Sequence, residues 1–256
     1  MPIIEVDQLH KRYGSTVAVQ DVSFSVEEGE IFGILGRNGA GKTTTVECLA
    51  GLRAPDGGRV RVAGHDPLTD TAPVRRIVGV QLQDAALPDK LRAGEAVDLY
   101  ASFYDEPADP RAVLGALGLA DKADTRFKDL SGGQRQRLSI ALALVGRPRV
   151  AILDELTTGL DPHARRETWA LVRQIREMGV TVVLVTHVME EAERLCDRVA
   201  VIHDGRVAAL DTPAGLIATA TDGGPRASLE DAFVALTAPA DADGARPWPF
   251  PFPVAR

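Results

Sequence analysis

The stretch Gly36-Arg37-Asn38-Gly39-Ala40-Gly41-Lys42-Thr43 fits the pattern G-x-x-x-x-G-K-[ST] and decides the fold. It follows Ile31–Leu35, a continuously apolar run that predicts a strand buried on both faces, and it precedes a predicted helix over Thr43–Leu52. The glycines let backbone N–H groups converge on phosphate oxygens, and the helix N-terminus adds the positive end of its dipole. The sequence therefore predicts that this loop binds the phosphates of a nucleotide.

The polar side chains of the loop have separate predicted tasks. Lys42 can reach the β- and γ-phosphates, and the Thr43 hydroxyl can ligate Mg²⁺. A glycine-rich turn with a chance lysine is the alternative, but the order of strand, loop and helix disfavours it. The predicted nucleotide-binding residues of this segment are Gly36, Arg37, Asn38, Gly39, Ala40, Gly41, Lys42, Thr43 and Thr44.

A second apolar strand, Val150–Leu153, ends in the two carboxylates Asp154 and Glu155. Ligands of parallel sheets bind at strand ends, so Asp154 is placed to hold Mg²⁺ directly or through water. Glu155 points differently and can orient or deprotonate an attacking water. Two acids that merely solvate a strand end are the alternative, which the neighbouring phosphate loop disfavours.

The segment Leu130-Ser131-Gly132-Gly133-Gln134 opens a predicted long helix with a second anion-friendly N-terminus. One nucleotide does not fill two such sites in one small domain. The second site is therefore predicted to face a nucleotide held by another subunit. The alternative is a plain helix cap made by Ser131.

These segments, in this order, resemble the ATP-binding-cassette superfamily over about residues 3–215. Residues 36–43 match its Walker A loop, residues 130–134 its signature motif and residues 150–155 its Walker B motif. The signature motif is found essentially only in this superfamily, which makes the resemblance specific.

Single residues match further positions of the family. Asp161 lies in a matching D-loop, His187 matches the switch histidine, and Tyr13 sits where the adenine-stacking aromatic belongs. Gln83 matches the Q-loop glutamine, although Gln81 nearby leaves that assignment open. Alone, Tyr13 is more typical of a packed surface aromatic and His187 of a structural histidine.

The resemblance implies an α/β fold, a P-loop NTPase cassette with a mostly parallel RecA-like sheet, an N-terminal antiparallel β subdomain and an inserted α-helical subdomain. It further implies a head-to-tail pair of copies that sandwich two ATP molecules with Mg²⁺. Glu155 would be the catalytic base, and His187 would bind the γ-phosphate and align base and water. Gln83 would contact the Mg²⁺ or the water, and Asp161 would carry signals across the interface.

Periodicity gives the organisation of the chain. Alternation over Ile3–Leu9, Val17–Val26 and Arg59–Ala63 predicts strands of an antiparallel sheet. Buried strands are also predicted at 180–185 and 199–202, with helices at about 162–178 and 188–196. Helical spacing at 96–103, 111–119 and 133–145 predicts a helical insertion over about 85–148. The expected domains are a cassette over 1–220 and a tail over 221–256, with a helix at 228–236 capped by Ser228 and a proline-bearing end.

Composition limits the possible partners. The net charge of −7 disfavours a nucleic-acid binder. No apolar run reaches the length of a membrane span and no signal peptide is visible, so any membrane role must come through a partner. The resemblance then implies separate permease subunits, with this chain as a peripheral protein on the cytoplasmic face of the membrane. Cys48 and Cys196 are expected to be reduced and either buried or half-buried. Leu156 stands where the family usually has proline; this removes a fixed φ but no chemical group, so hydrolysis is still expected.

Less specific stretches resemble the branch that energises bacterial drug and antibiotic exporters of the daunorubicin-resistance type. They are residues 81–83, 86–91 and 99–104, and residues 228–233 followed by 236–237. The alternatives are an importer motor and a lipid, ion or polysaccharide exporter. A chromosome-maintenance ATPase would need coiled-coil arms between Gly41 and Ser131, and a translation-regulating protein normally carries two cassettes.

Overall fold

The computed structural model describes residues 2–82, 87–220 and 227–238. Within these ranges the strands form two sheets. None of the helices there combines the length and the apolar character that crossing a membrane requires. Gln83 and the end of the chain from Pro239 lie outside the described residues, as do the predictions made for them.

The smaller sheet is antiparallel and belongs to the N-terminal part of the chain. Among the described residues it has three strands, β1 (Pro2–Tyr13), β2 (Thr16–Glu27) and β4 (Gly57–Val62), in the order β2-β1-β4. Because side chains of a strand alternate between two faces, Ile4 and Val6 are buried while Glu5 is exposed. The period-two prediction for this region is confirmed.

The larger sheet is mostly parallel, as predicted. In the described part of the chain its strands are β3 (Ile31–Leu35), β5 (Val78–Gln81), β6 (Val150–Asp154), β7 (Thr181–Thr186), β8 (Arg198–His203) and β9 (Arg206–Asp211). Their order in this sheet is β5-β6-β7-β3-β8-β9, and of these strands β9 alone pairs antiparallel.

Strand order brings the candidate site together. Strand β7 lies between β3 and β6, with Leu35 paired to Thr186 and Asp154 paired to Val185. The carboxyl ends of these three parallel strands therefore meet at one edge of the sheet, where ligands of such sheets bind.

The helices are α1 (Lys42–Leu49), α2 (Thr71–Ile77), α3 (Ala93–Ala101), α4 (Pro110–Ala116), α5 (Gly132–Leu144), α6 (Pro162–Glu177), α7 (Met189–Leu195), α8 (Pro213–Ala220) and α9 (Leu229–Leu236). Helices α3, α4 and α5 lie between β5 and β6, together with short 3₁₀ turns at Ala120–Lys122 and Phe127–Asp129. Ser228 caps α9, since its Oγ accepts a hydrogen bond from the Asp231 amide at 3.2 Å.

Several element boundaries differ from the predictions. Helix α1 ends at Leu49 rather than Leu52, because Gly51 adopts φ +68° beside the Pro67 carbonyl and turns the chain. Helix α3 stops at Ala101, two residues before the predicted end. Helix α4 stops at Ala116 instead of 119. Elements β5, β9, α2 and α8 were not predicted.

Both faces of the large sheet are covered. Ile31 and Leu35 of β3 belong to the apolar cluster that helices α3 to α7 help to build. Phe32 and Ile34 point to the other side and pack with the antiparallel sheet and α1. This two-sided burial explains the unbroken apolar run of β3. Cys48 and Cys196 are buried free thiols, as predicted.

Candidate functional site

The loop between β3 and α1 follows a path that glycine alone fits. Gly39 and Gly41 have φ of +83° and +101°. A Cβ at Gly41 would also lie 2.3 Å from the Ala18 carbonyl oxygen of β2, and one at Gly36 would lie 2.4 Å from the Ile202 carbonyl oxygen. The loop is therefore held between β2 and β8 with its backbone close-packed.

Lys42 begins α1 and is buried, with 5% of its surface exposed. Its Nζ donates a hydrogen bond to the Arg37 carbonyl oxygen at 3.1 Å. Burial lowers the pKa of Lys42, and the nearby carboxylates of Glu155 and Asp154 oppose this effect. An ammonium in this position favours an anionic ligand. A cavity of about 240 Å³ adjoins it, lined by Ala18, Asn38, Gly39, Gly41, Lys42, Thr43, Thr44 and Glu155.

Asp154 ends β6 and is 2% exposed. Burial raises its pKa to about 6, and the Glu155 charge adds to the rise while Lys42 opposes it. A carboxylate this poorly solvated is suited to a cation, and its oxygens are donors that Mg²⁺ prefers.

Gln81, at the end of β5, braces the same strand end. Its Oε1 accepts a hydrogen bond from the Asp154 amide at 3.1 Å, and its Nε2 donates to the Leu82 carbonyl at 2.8 Å. Of the two glutamines left open by the sequence, Gln81 is therefore engaged in supporting Asp154. The position of Gln83 falls in the stretch 83–86 that the structure leaves undescribed.

Glu155 faces His187. The His187 Nδ1 lies 3.0 Å from Glu155 Oε1, and the Thr158 hydroxyl donates to Glu155 Oε2 at 3.4 Å. The tautomer of His187 that carries its proton on Nδ1 donates this hydrogen bond to the carboxylate. His187 also lines a cavity of about 900 Å³ shared with Gly36, Arg37, Asn38, Met189, Glu230, Phe233, Val234, Thr237 and Ala238.

The backbone around Glu155 is special. Glu155 has φ of +50°, in the left-handed region, and its amide donates to the Val185 carbonyl at 2.9 Å. Leu156, which replaces the usual proline, is fully buried in the core. Apolar packing thus fixes the residue after Glu155 where a proline ring would have fixed φ.

The helix cap predicted as an alternative at Ser131 is present. The Ser131 Oγ accepts from the Gln134 amide at 3.2 Å, and Gln134 Oε1 accepts from the Ser131 amide at 2.9 Å. However, a Cβ at Gly132 would meet nothing within 4 Å, and one at Gly133 would only touch Ala164 Cβ at 3.8 Å. The chain's own fold therefore does not require glycine at either position.

Asp161 is also a cap in this structure. Its Oδ1 accepts hydrogen bonds from the amides of His163 and Ala164 at 2.9 and 3.0 Å, at the start of α6. These two N–H groups lower the pKa of Asp161, that of Ala164 most. Tyr13 lies at the end of β1 and is 40% exposed. The Arg53 guanidinium carbon lies 5.2 Å from the centre of its ring.

Sequence reasoning missed three contributors to this edge. Ala18 of β2 lines the cavity beside the phosphate-binding loop, and no sequence motif indicates this contact. The Thr158 hydroxyl donates to Glu155. The sequence does carry a signal for this contact, because Thr158 follows Glu155 by only three residues. Glu191 is a fully buried carboxylate on α7. The sequence does not indicate its burial, because two consecutive acids, Glu190-Glu191, are typical of an exposed helix face.

The chain is similar to proteins of one family. The family model described as ABC transporter matches residues 19–158. Nod factor export ATP-binding protein I of Paraburkholderia xenovorans (strain LB400) is 45% identical over 222 residues, 84% of this chain and 73% of that protein. The protein of the same name from Burkholderia orbicola (strain AU 1054) is 42% identical over 84% of this chain and 72% of its own length.

Solved structures show the same architecture. An ATP-binding subunit of an ABC transporter superposes with a TM-score of 0.81 at 28% identity, over 91% of this chain and 99% of its own. The ATP-binding cassette MJ0796, solved as a dimer in a post-hydrolysis state with ADP and Pi, superposes with a TM-score of 0.73 at 28% identity. The match covers 82% of this chain and 98% of that chain. The fold is the α/β P-loop NTPase fold of such cassettes. The chain belongs to the ABC transporter family, as a cassette that binds ATP and couples its hydrolysis to transport.

Proposed function

We propose that this chain energises export through a separate membrane permease, by hydrolysing Mg-ATP in a site that two copies of the chain complete together. The observation that carries the proposal is the convergence of three strand ends. The Lys42 loop follows β3, Asp154 ends β6 with Glu155 next to it, and His187 follows β7. A phosphate-binding loop, a buried acid and a paired base thus share one edge of the sheet.

In this proposal, the loop binds the triphosphate. Backbone amides over residues 36–44 face its oxygens, and Lys42 exchanges the Arg37 carbonyl for β- and γ-phosphate oxygens. A charged oxygen is a stronger acceptor than a carbonyl for an ammonium whose solvation is already reduced. The Tyr13 ring, which is partly exposed, stacks on the adenine.

Mg²⁺ would be held by the Thr43 hydroxyl, the Asp154 carboxylate and Gln83, whose side chains supply the hard oxygen donors that this ion prefers. When bound, the ion neutralises negative charge on the β- and γ-phosphates. The raised pKa of Asp154 supports this assignment, because a buried carboxylate gains most from a nearby cation.

Glu155 is the proposed catalytic base. It orients a water molecule and accepts its proton while the water oxygen forms a bond to the γ-phosphorus and the bond to the β-phosphate oxygen breaks. His187 holds the carboxylate through Nδ1 at 3.0 Å and contacts the γ-phosphate. The products are ADP and inorganic phosphate.

A second copy of the chain would complete each site with Ser131, Gly132, Gly133 and Gln134. Neither glycine carries a side chain, and a Cβ would meet nothing within 4 Å at Gly132 and only Ala164 Cβ at 3.8 Å at Gly133, so an approaching phosphate meets amides rather than side chains. The pairing is supported by the cassette MJ0796, which is similar to this chain and has been solved as a dimer. Asp161, at the start of α6, would lie at the same interface and connect the two sites.

Export is favoured by the relatives, whose names describe export ATP-binding proteins. The proposed cargo is a drug or antibiotic, because residues 81–83, 228–233 and 236–237 resemble the daunorubicin-resistance-type branch of exporters. Nod factor, named in the relatives, is the second candidate. The proposed location is the cytoplasmic face of the membrane, where the chain would bind its permease.

Transport in vesicles tests this proposal. Inside-out vesicles that contain the chain together with its permease should accumulate daunorubicin when ATP is added, and those with Lys42→Ala should not. Accumulation of Nod factor without daunorubicin would support the second cargo. ATP-driven uptake by right-side-out vesicles alone would contradict export and indicate an importer.

A further inference from the structure

Glu191 is a fully buried carboxylate outside the motifs that the proposed mechanism uses. It lies on α7, four residues after His187, and has no exposed surface. Its Oε1 accepts a hydrogen bond from the indole Nε1 of Trp169 on α6 at 3.1 Å. The carboxylate therefore joins the helix that follows His187 to the helix that starts at Asp161.

Polar groups from three segments surround this carboxylate. They are the hydroxyls of Thr157 and Thr186, the Trp169 indole and the Arg165 guanidinium, and all of them lower its pKa against the larger opposing effect of burial. Thr157 comes two residues after Glu155. The Thr186 hydroxyl also accepts a hydrogen bond from the Val188 amide at 2.9 Å, which fixes the loop that carries His187.

The network is incomplete. Thr157 Oγ1, Arg165 Nε and Glu191 Oε2 are buried without a hydrogen-bond partner in the described part of the chain. Thr157 thus lies near enough to act on the Glu191 charge, yet the two atoms miss hydrogen-bond geometry. Unpaired buried polar atoms destabilise a fold, and an apolar side chain here would avoid that cost. Stability therefore does not explain why the residue is a glutamate.

We propose that Glu191 is a positioning residue for ATP hydrolysis, holding the turn after Glu155 and the loop of His187 in one fixed relation. Thr157 of the first segment and Thr186 of the second both lie close enough to act on its charge, while the hydrogen bond from Trp169 anchors it to α6. The 3.0 Å contact between Glu155 and His187 spans the same two segments. This inference rests on the proposed catalytic roles of Glu155 and His187.

The test compares Glu191→Gln with the matched control Glu190→Gln. Glutamine keeps the oxygen that accepts from Trp169 but removes the charge. Glu190 is the preceding residue on α7, exposed and paired with Arg194. For each variant we would measure kcat and KM for ATP, together with the melting temperature. Wild type and Glu155→Gln are assayed in parallel.

For Glu191→Gln we expect kcat to fall about 10- to 100-fold, because a small displacement of the catalytic base lowers the rate by about this factor. KM should change less than about twofold. Its melting temperature should stay the same or rise. Glu190→Gln should match wild type in all three quantities.

Two outcomes overturn the inference: an unchanged kcat in Glu191→Gln, or a lower kcat accompanied by a lower melting temperature and a higher KM, which would indicate a structural role. An inactive wild type, or an active Glu155→Gln, would instead refute the proposed function itself.

Discussion

His187 Nδ1 lies 3.0 Å from Glu155 Oε1, and the two residues follow the ends of the neighbouring parallel strands β7 and β6. Their contact is therefore set by the sheet register rather than by a flexible loop. In the tautomer with a proton on Nδ1, the imidazole donates to the carboxylate and holds the glutamate in a fixed orientation. This geometry is what a general base for water needs.

Glu155→Gln should lower the rate of ATP hydrolysis about 10²- to 10⁴-fold, because the amide cannot accept the proton of the water. ATP binding should persist, since the phosphate loop is unchanged, and the variant should accumulate as an ATP-bound dimer. Phosphate release and size-exclusion chromatography measure both effects. Glu177→Gln, an exposed change at the end of α6, is the control. Rapid turnover by Glu155→Gln would refute the assignment of the base.

Lys42→Ala should weaken ATP binding by about 10- to 100-fold or more, because each charge-assisted hydrogen bond contributes about 1.5–3 kcal/mol. The fold should tolerate the change, since it removes a buried charge. Isothermal titration calorimetry measures the affinity, and Lys128→Ala on the exposed surface is the matched control. Unchanged affinity would mean that the loop over residues 36–43 does not bind the triphosphate.

Asp154 should make the free energy of unfolding depend on pH. Its pKa of about 6 in the fold lies above 3.8, so its contribution to stability is greatest below pH 3.8 and is lost as pH rises to 6. With a chelator and no nucleotide, Asp154→Asn should therefore stabilise the protein by about 3 kcal/mol at pH 8 and about 1 kcal/mol at pH 4.5. Urea unfolding measures this, with Asp98→Asn on the exposed face of α3 as control. A gain that does not depend on pH would show that Asp154 has an ordinary pKa.

Ser131 has two separable roles. Ser131→Ala and Ser131→Arg both remove the cap of α5 and should each cost about 1 kcal/mol of stability. In a Glu155→Gln background only the arginine, which adds bulk at the start of α5, should abolish the ATP-dependent dimer, while ATP binding to single subunits persists. Sedimentation of each variant with and without ATP shows whether it forms the dimer. A dimer that survives Ser131→Arg would place the interface elsewhere.

The local features of the site were predictable from the sequence because each depends on residues that are consecutive in the chain. The glycines of the 36–43 loop, the apolar run of β3 and the carboxylates after β6 each occur in one short segment. The two sheets followed from the contrast between alternating and continuous apolar runs. The order of the motifs then indicated the fold.

Features that depend on strand order or packing were not predictable. The hydrogen bond from the Asp154 amide to Gln81 exists because β5 lies beside β6, which no local pattern reveals. Strand β9 is only half-buried and lacks a clear period. In the run Glu190-Glu191, helical packing alone decides that the second carboxylate is buried and the first exposed.

In the proposed dimer, the Lys42 loop of one copy and the Ser131–Gly133 segment of another enclose the same ATP. A mixing experiment in a Glu155→Gln background tests this arrangement most directly. Lys42→Ala damages one side of both sites in a dimer of identical copies, and Ser131→Arg damages the other side. A mixed dimer retains one intact site.

We therefore predict that neither variant alone forms an ATP-dependent dimer, and that an equimolar mixture does. If the mixture stays monomeric with ATP, or if either variant dimerises on its own, the site is not shared between copies in this way.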